Sequence, residues 1–294
     1  MDNQRPLAGH IAAFITILIW GTTFIATKVL LREFSPVTIL LTRFVIGYLA
    51  LWLMHPGWLH LAQRRQEWLF VAAGASGITL YYLLENVALT YTTASNVGII
   101  VTISPFLTAL LAQWWLHTPR PSRWFYIGFV VAIVGVCLIS YRSGASQQTG
   151  HWLGDGLAAL AALAWAVYSI LTTKIGALQL DLIRSTRHVF FYGLLLMIPL
   201  ALWTHSPLAI AAIGEPHNLA NFLFLGIGAC ALCFVSWNFA VKRLGTVKSS
   251  IYIYLVPVIT VAFAVWLLHE PLTVPIIIGA AMTLVGLWLS NKPA

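Results

Sequence analysis

The sequence predicts an all-α polytopic membrane protein with ten transmembrane helices, arranged as two inverted five-helix repeats around a central cavity. The first observation is composition: 60% of the 294 residues are hydrophobic and 8% are charged, with a mean hydropathy of +0.87. A soluble domain carries roughly 25% charged residues, so most of this surface must face lipid. The second is the number of long apolar segments, and the third is an internal repeat.

Ten apolar segments approach the length of roughly 20 residues that a helix needs to cross the bilayer core. The connections between them are short and carry proline, glycine or charge. The segments are predicted at residues 11–31, 38–54, 68–90, 95–115, 123–141, 154–174, 186–203, 219–241, 248–268 and 275–290.

Lysine and arginine positions predict how the chain is oriented. Positive residues concentrate on the cytoplasmic side of membrane proteins. With ten helices, one side carries twelve of the sixteen: Arg5, Arg64, Arg65, Arg120, Arg123, Lys174, Arg184, Arg187, Lys242, Arg243, Lys248 and Lys292. We therefore expect a multi-pass protein of a bacterial inner membrane with both termini in the cytoplasm. The polar N-terminus predicts no cleaved signal peptide, and the lack of a basic stripe argues against a nucleic-acid partner.

An internal repeat divides the chain. A shift of 152 residues aligns Asn86–Pro119 with Asn238–Pro271, and ten of the 34 positions are then identical. We expect repeats over residues 1–145 and 146–294, each with five helices. Because five is odd, the two repeats must enter the membrane in opposite directions. Secondary transporters with this arrangement place their substrate site near the membrane midplane.

Several short motifs resemble those of the EamA-type domains of the drug/metabolite transporter superfamily. The resemblance covers essentially the whole chain and is carried by Trp20–Phe24, Lys28, Ser35–Pro36, Arg43, Pro105, Pro257, His269–Thr273, Gly279 and Gly286. Within the superfamily, the chain is most similar to YddG-type amino-acid exporters. This resemblance implies a basket of ten helices and efflux of aromatic or other neutral amino acids. The first repeat departs from the pattern, with Thr118 where the second has Glu270.

Tryptophans give the clearest indication of a binding site. Ten of the thirteen lie near predicted helix ends, which the interfacial aromatic belt explains. Trp20 and Trp165 fall mid-span in equivalent helices, and Trp237 is also deep. An indole N–H needs a partner that lipid cannot supply, and a central cavity would provide one. Packing against a neighbouring helix is the alternative.

Other aromatic and polar residues complete a predicted amphipathic pocket for a small-molecule substrate. Of Tyr81 and Tyr82 we expect at most one to line the cavity, since adjacent helical residues point apart. Ordinary helix packing is an equal alternative for each residue of the set. The remaining candidates are Asn86, Ser95, Asn96, Tyr168 and Tyr252.

Three charges and two prolines are candidates for gating or coupling. Charges inside a membrane usually face the bundle interior; Lys28 and Arg43 could instead snorkel to the surface. We hypothesise that Glu85 pairs with one of them as a latch. Pro105 and Pro257 remove a backbone donor mid-helix and could serve as paired bending points or as static kinks. Cys230 and Cys233 are interpreted as small packing residues, and no metal or cofactor is expected.

Three functions remain open. A secondary exporter of amino acids fits best, powered by the substrate gradient or by a proton that enters through Glu85, because no nucleotide-binding loop is present. A nucleotide-sugar translocator would need basic residues in the cavity, where the sequence places aromatic ones. An enzyme acting on lipids would need a cluster of histidines or carboxylates, and the histidines are scattered.

Overall fold

The computed structural model describes residues 4–117, 122–140, 150–204, 210–244, 249, 252–253, 255–290 and 292. Within these ranges the chain is helical, with ten long helices, a short helix at Ile210–Ile213 and no strand. The bounds are α1 Gln4–Leu30, α2 Pro36–Met54, α3 Arg64–Tyr91, α4 Ala94–Trp115, α5 Arg123–Ser140, α6 His151–Ala177, α7 Leu182–Trp203, α8 Pro216–Leu244, α9 Val256–Leu268 and α10 Val274–Ser290.

Seven of the described helices are long and apolar enough to cross a membrane, whereas α5, α9 and α10 are shorter apolar helices. The predicted class, a polytopic all-α protein, is confirmed. Helix α7 begins four residues before its predicted start because Asp181 caps it, accepting a hydrogen bond from the Arg184 amide at 2.8 Å. Its first turn is polar, which a hydropathy reading misses.

Helices α3 and α8 share an irregularity that extends the internal repeat. Both contain a π-helical segment, at Gly74–Leu80 in α3 and at Phe224–Leu232 in α8. The last residues of these two segments are separated by the same 152 residues as the sequence repeat. The ends of α4 and α9 also match, since His117 and His269 adopt left-handed backbone angles with φ of 52° and 53°. The two halves therefore share local backbone geometry as well as sequence.

The packing of α5 against α10 shows that the halves are inverted. A Cβ atom added at Gly128 would lie 2.2 Å from the carbonyl oxygen of Gly286, and one added at Gly135 would lie 2.6 Å from that of Gly279. The early glycine of each helix thus faces the late glycine of the other, so the helices run antiparallel. Because α5 and α10 are equivalent in the repeat, the halves have opposite directions, as predicted.

The two halves exchange contacts symmetrically. Helix α1 packs against α8 and α9, and its equivalent α6 packs against α3 and α4. Helix α2 packs against α8, and its equivalent α7 packs against α3. Elements of both halves therefore enclose the centre of the molecule.

Tryptophans separate into two groups by exposure. Trp165 and Trp237 are each 9% exposed, and Trp20 is half-buried. Nine of the ten assigned to the aromatic belt are exposed in the protein alone, which suits contact with lipid and headgroups, and Trp124 is half-buried. The exposed nine are Trp52, Trp58, Trp68, Trp114, Trp115, Trp152, Trp203, Trp266 and Trp288.

Candidate functional site

A cavity of about 400 Å³ opens on the face where α1 begins, which we call the N-terminal face. Its wall comes from α4, α6, α7 and α8 together with Ile253. Gln179 and Lys242 lie at its mouth, at the ends of α6 and α8, whereas Trp165 and Trp237 lie at its floor. The volume is within the range of roughly 300–1,000 Å³ that small-molecule sites occupy.

Trp165 and Trp237 at the floor of this cavity both contact Trp20, which is not part of the cavity wall. The ring centroid of Trp20 lies 5.6 Å from that of Trp165, edge to face, and 5.4 Å from that of Trp237. The indole N–H of Trp20 donates to the carbonyl of Ala229 at 3.1 Å. Its partner is therefore the backbone of the π-helical segment of α8. The sequence had instead suggested a partner in the central cavity.

A second, central cavity of about 50 Å³ lies beyond this floor. Its wall includes Trp20, Glu85 and both Tyr81 and Tyr82. The expectation that only one tyrosine lines the cavity is wrong. Adjacent Cβ atoms on a helix point roughly 100° apart, but the two large rings, with centroids 4.7 Å apart and nearly perpendicular, both reach the cavity.

Tyr168 joins the cluster because a glycine makes room for it. Its ring lies 5.0 Å from that of Trp165 and lines the large cavity. A Cβ atom at Gly77, in the π-helical segment of α3, would lie 2.2 Å from the Tyr168 ring. Gly77 and Phe234, whose ring also contacts Trp20 and Trp165, carried no signal in the sequence that would have marked them.

Tyr252 and Asn86 lie away from the floor. The Tyr252 hydroxyl bonds His10 Nδ1 at 2.8 Å near the start of α1. The Asn86 amide donates to the Pro36 carbonyl at 3.1 Å, which joins α3 to α2. In this conformation neither residue lines the large or the central cavity.

Ser95 and Asn96 lie at the start of α4, on the face opposite the large cavity's mouth, which we call the opposite face. The Ser95 hydroxyl donates to Glu270 at 2.6 Å. The Asn96 amide donates to Thr92 Oγ1 at 3.1 Å, and Thr92 in turn donates to Asp155 at 2.9 Å. These residues therefore join helices in this conformation.

Glu270 closes the opposite face and was not among the sequence candidates. Its carboxylate accepts hydrogen bonds from the backbone N–H groups of Ala94, at 2.8 Å, and of Ser95, at 3.2 Å, in addition to the Ser95 hydroxyl. The chain after α9 is thereby tied to the first turn of α4. The sequence did offer one indication: the repeats differ here, since the first has Thr118 at the position that corresponds to Glu270 in the second.

Lys28 and Arg43 make their direct contacts with groups other than the Glu85 carboxylate. The Lys28 ammonium donates to the carbonyls of Leu89 and Thr92 at the turn between α3 and α4. Arg43 does not snorkel: it is 1% exposed. Among the described residues, neither cation lies within the 4.0 Å of the Glu85 carboxylate that an ion pair requires.

Arg43 is held in the core by two contacts. Its Nε donates to the Cys230 sulfur at 3.3 Å, and its guanidinium lies 4.4 Å from the centroid of the Tyr82 ring. The interpretation of Cys230 as an apolar packing residue is therefore incomplete, since it is a hydrogen-bond acceptor for a buried cation.

The prolines begin helical segments. A 3₁₀ turn at Val101–Ile103 interrupts α4, and Pro105 stands at the start of the α-helix that follows. Pro257 occupies the same place at the start of α9. Pro105 also lines the large cavity. Helix α4 is thus irregular at the level of the site.

Comparison with known proteins identifies the family. The model of the EamA-like transporter family matches residues 7–141 and again 152–292. An uncharacterised transporter of Archaeoglobus fulgidus is 30% identical, with 96% of each chain covered. A probable terminal-alkyne amino-acid exporter of Streptantibioticus cattleyicolor is 27% identical over 96% of this chain and 92% of its own. A crystal structure with 18% sequence identity to this chain covers 99% of this chain and 97% of its own, with a TM-score of 0.67, and shares the fold.

Proposed function

We propose that this chain exports neutral amino acids with large apolar side chains by alternating access. The chain belongs to the EamA-like transporter family, and thus to the drug/metabolite transporters. The observation that carries the proposal is that Trp165 and Trp237 form the floor of a cavity that opens on one face, with Trp20 packed against both. Export is secondary, driven by a gradient of the substrate or of an ion. The units that alternate are residues 1–145 and 146–294.

The chemistry of the cavity favours this substrate class. Aromatic rings at the floor suit an apolar side chain, and Ser185, Thr186 and Asn238 add hydrogen-bonding groups to the wall. The similarity to a probable exporter of an unusual amino acid supports the same class. The positive face is cytoplasmic, so the large cavity opens to the cytoplasm of a bacterial cell and both termini lie there.

Release requires the opposite face to open. The contacts of Glu270 with the start of α4 and those of Lys28 with the turn before it close that face. Opening breaks them and closes the large cavity. Pro105 and Pro257 supply the bending points, since each follows backbone that is already irregular or begins its helix.

A nucleotide-sugar translocator is the second candidate within the family. It would need lysine or arginine near the bound phosphates. Among the described residues that line the large cavity, Lys242 at the mouth is the one basic side chain. The aromatic floor therefore favours the amino-acid exporter. An enzyme acting on lipids is not favoured, since the family and the relatives are transporters.

Counterflow into proteoliposomes tests the proposal. Vesicles are loaded with each of a panel of amino acids, polyamines, nucleosides and nucleotide sugars, and the uptake of the labelled compound is followed with and without a proton ionophore. We expect exchange of phenylalanine and leucine well above that of empty vesicles. Exchange confined to nucleotide sugars, or no exchange with any amino acid, would overturn the proposal.

A further inference from the structure

Glu85 is a buried acid without a full set of partners. The residue is 1% exposed, and its Oε1 atom accepts no hydrogen bond within the described part of the chain. A buried carboxylate without a hydrogen bond costs free energy, so such a group usually has a purpose. Glu85 lines the central cavity.

Aromatic rings enclose the space in front of this carboxylate. Trp20, Trp165, Tyr81 and Tyr82 all line the same central cavity. The faces of aromatic rings attract cations within about 6 Å of their centroids. A carboxylate together with a wall of aromatic rings is the combination that recognises an ammonium group.

The size and position of the central cavity suit one end of a substrate. About 50 Å³ is too small for a whole amino acid but accommodates a group about the size of an ammonium. Ser104, Trp165 and Ile253 line both the central and the large cavity. A substrate whose side chain lies in the large cavity can therefore extend its amino group into the central cavity.

The charges around Glu85 favour a zwitterion. Arg43 of α2 attracts the carboxylate without forming an ion pair, and Cys230 of α8 holds the guanidinium. The buried charges of Arg43 and Glu85 already balance. A zwitterionic amino acid adds no net charge, whereas an anionic substrate would add an uncompensated negative charge beside Glu85.

We propose that the central cavity binds the ammonium group of the substrate, with Glu85 as its hydrogen-bond acceptor and the surrounding rings as its cation–π wall. This inference rests on the proposed export of amino acids and specifies which end of the substrate enters the centre. The transporter therefore selects compounds that carry an amine over equally large apolar acids that lack one.

Matched competitors test the inference in the wild-type protein. Phenylalanine and leucine counterflow is measured against competition by phenyllactate and 2-hydroxyisocaproate, which lack the amine, and by phenethylamine and isoamylamine, which lack the carboxylate. We expect the hydroxy acids to compete about 10- to 100-fold less well than the amino acids, the loss typical for a hydrogen bond to a charged group. The amines keep the contact with Glu85 but add a net positive charge beside Arg43, so we expect them to compete better than the hydroxy acids and less well than the amino acids.

Two variants connect this selectivity to Glu85. Glu85→Gln should weaken amino-acid exchange and remove the preference over hydroxy acids, whereas Glu215→Gln, at an exposed carboxylate, should keep both. Equal competition by hydroxy acids and amino acids in the wild type would refute the amine site and leave the export of amino acids standing. Absence of exchange with every amine-bearing compound would refute both proposals.

Discussion

At the scale of single residues, the buried Arg43 and Glu85 depend on each other. Each is 1% exposed, and Arg43 Nη1 and Glu85 Oε1 have no hydrogen-bond partner among the described residues. Their mutual attraction across the core offsets part of the cost of burying both charges. Removal of one leaves the other uncompensated, which is strongly destabilising in protein interiors.

The first prediction follows from this dependence. Arg43→Met should lower the midpoint of thermal unfolding in detergent by more than about 5 °C, and Arg43→Met combined with Glu85→Gln should recover part of the loss. Arg32→Met, at an exposed arginine on the opposite face, is the control. A midpoint for Arg43→Met equal to that of the control would show that the core does not need the cation.

The second prediction concerns closure of the opposite face. Glu270→Gln should weaken the closure because a neutral amide accepts the hydrogen bonds of the α4 start less strongly. A cysteine at Thr23, which is buried beside the central cavity, should then react several-fold faster with an impermeant maleimide added outside spheroplasts.

Glu215→Gln, on the same face but exposed, should leave the labelling rate of that cysteine unchanged. If Glu270→Gln gives the rate of this control, Glu270 does not hold the face closed.

The sequence was sufficient to identify candidate site residues that are unusual for their depth in the membrane. Trp20 and Trp165 were identified because they fall mid-span, where an interfacial belt cannot explain them. Cys230 and Glu270 were not assigned their contacts, because their partners, Arg43 and Ser95, lie 187 and 175 residues away. Such contacts depend on how the halves interlock, which hydropathy and spacing do not specify.

At the scale of helices, glycines set the distance between α5 and α10. The backbones approach so closely that no side chain fits between Gly128 and Gly286. Small residues allow this approach in membranes, where packing and not burial from water drives association. Each helix carries its two glycines seven residues apart, but this spacing alone does not identify the helix they pack against.

The third prediction tests this packing. Gly128→Ala should lower the thermal midpoint, because its methyl group would lie 2.2 Å from the Gly286 carbonyl. Gly156→Ala is the control, since an added Cβ there meets nothing within 4 Å, and it should match or exceed the wild-type midpoint. Equal midpoints for the two variants would contradict the packing described.

The π-helical segments show what helix prediction leaves out. The apolar segments 68–90 and 219–241 predicted α3 and α8 as continuous helices and gave no sign of the wider turns at Gly74–Leu80 and Phe224–Leu232. These segments carry Gly77, which seats Tyr168, and Ala229, which binds the Trp20 indole. Irregular turns of this kind are frequent at functional sites.

At the scale of the whole molecule, alternation of the helices places charge on one face. The described residues Arg64, Arg123, Lys174, Lys242 and Lys292 lie at helix ends on the N-terminal face. The fourth prediction is that this face is cytoplasmic. A fluorescent-protein fusion after Ala294 should fluoresce and an alkaline-phosphatase fusion there should be inactive; active phosphatase would reverse the orientation.

If oppositely inserted halves enclose an aromatic substrate chamber, exchange depends on Trp165, whose replacement is the most direct test. Counterflow of phenylalanine is compared between Trp165→Ala, at the floor of the large cavity, and Trp266→Ala, at an exposed tryptophan on α9. Both variants lose an indole, so only position differs. We expect at least tenfold weaker exchange for Trp165→Ala and wild-type exchange for Trp266→Ala. Undiminished exchange by well-folded Trp165→Ala would contradict an aromatic substrate chamber between the two halves.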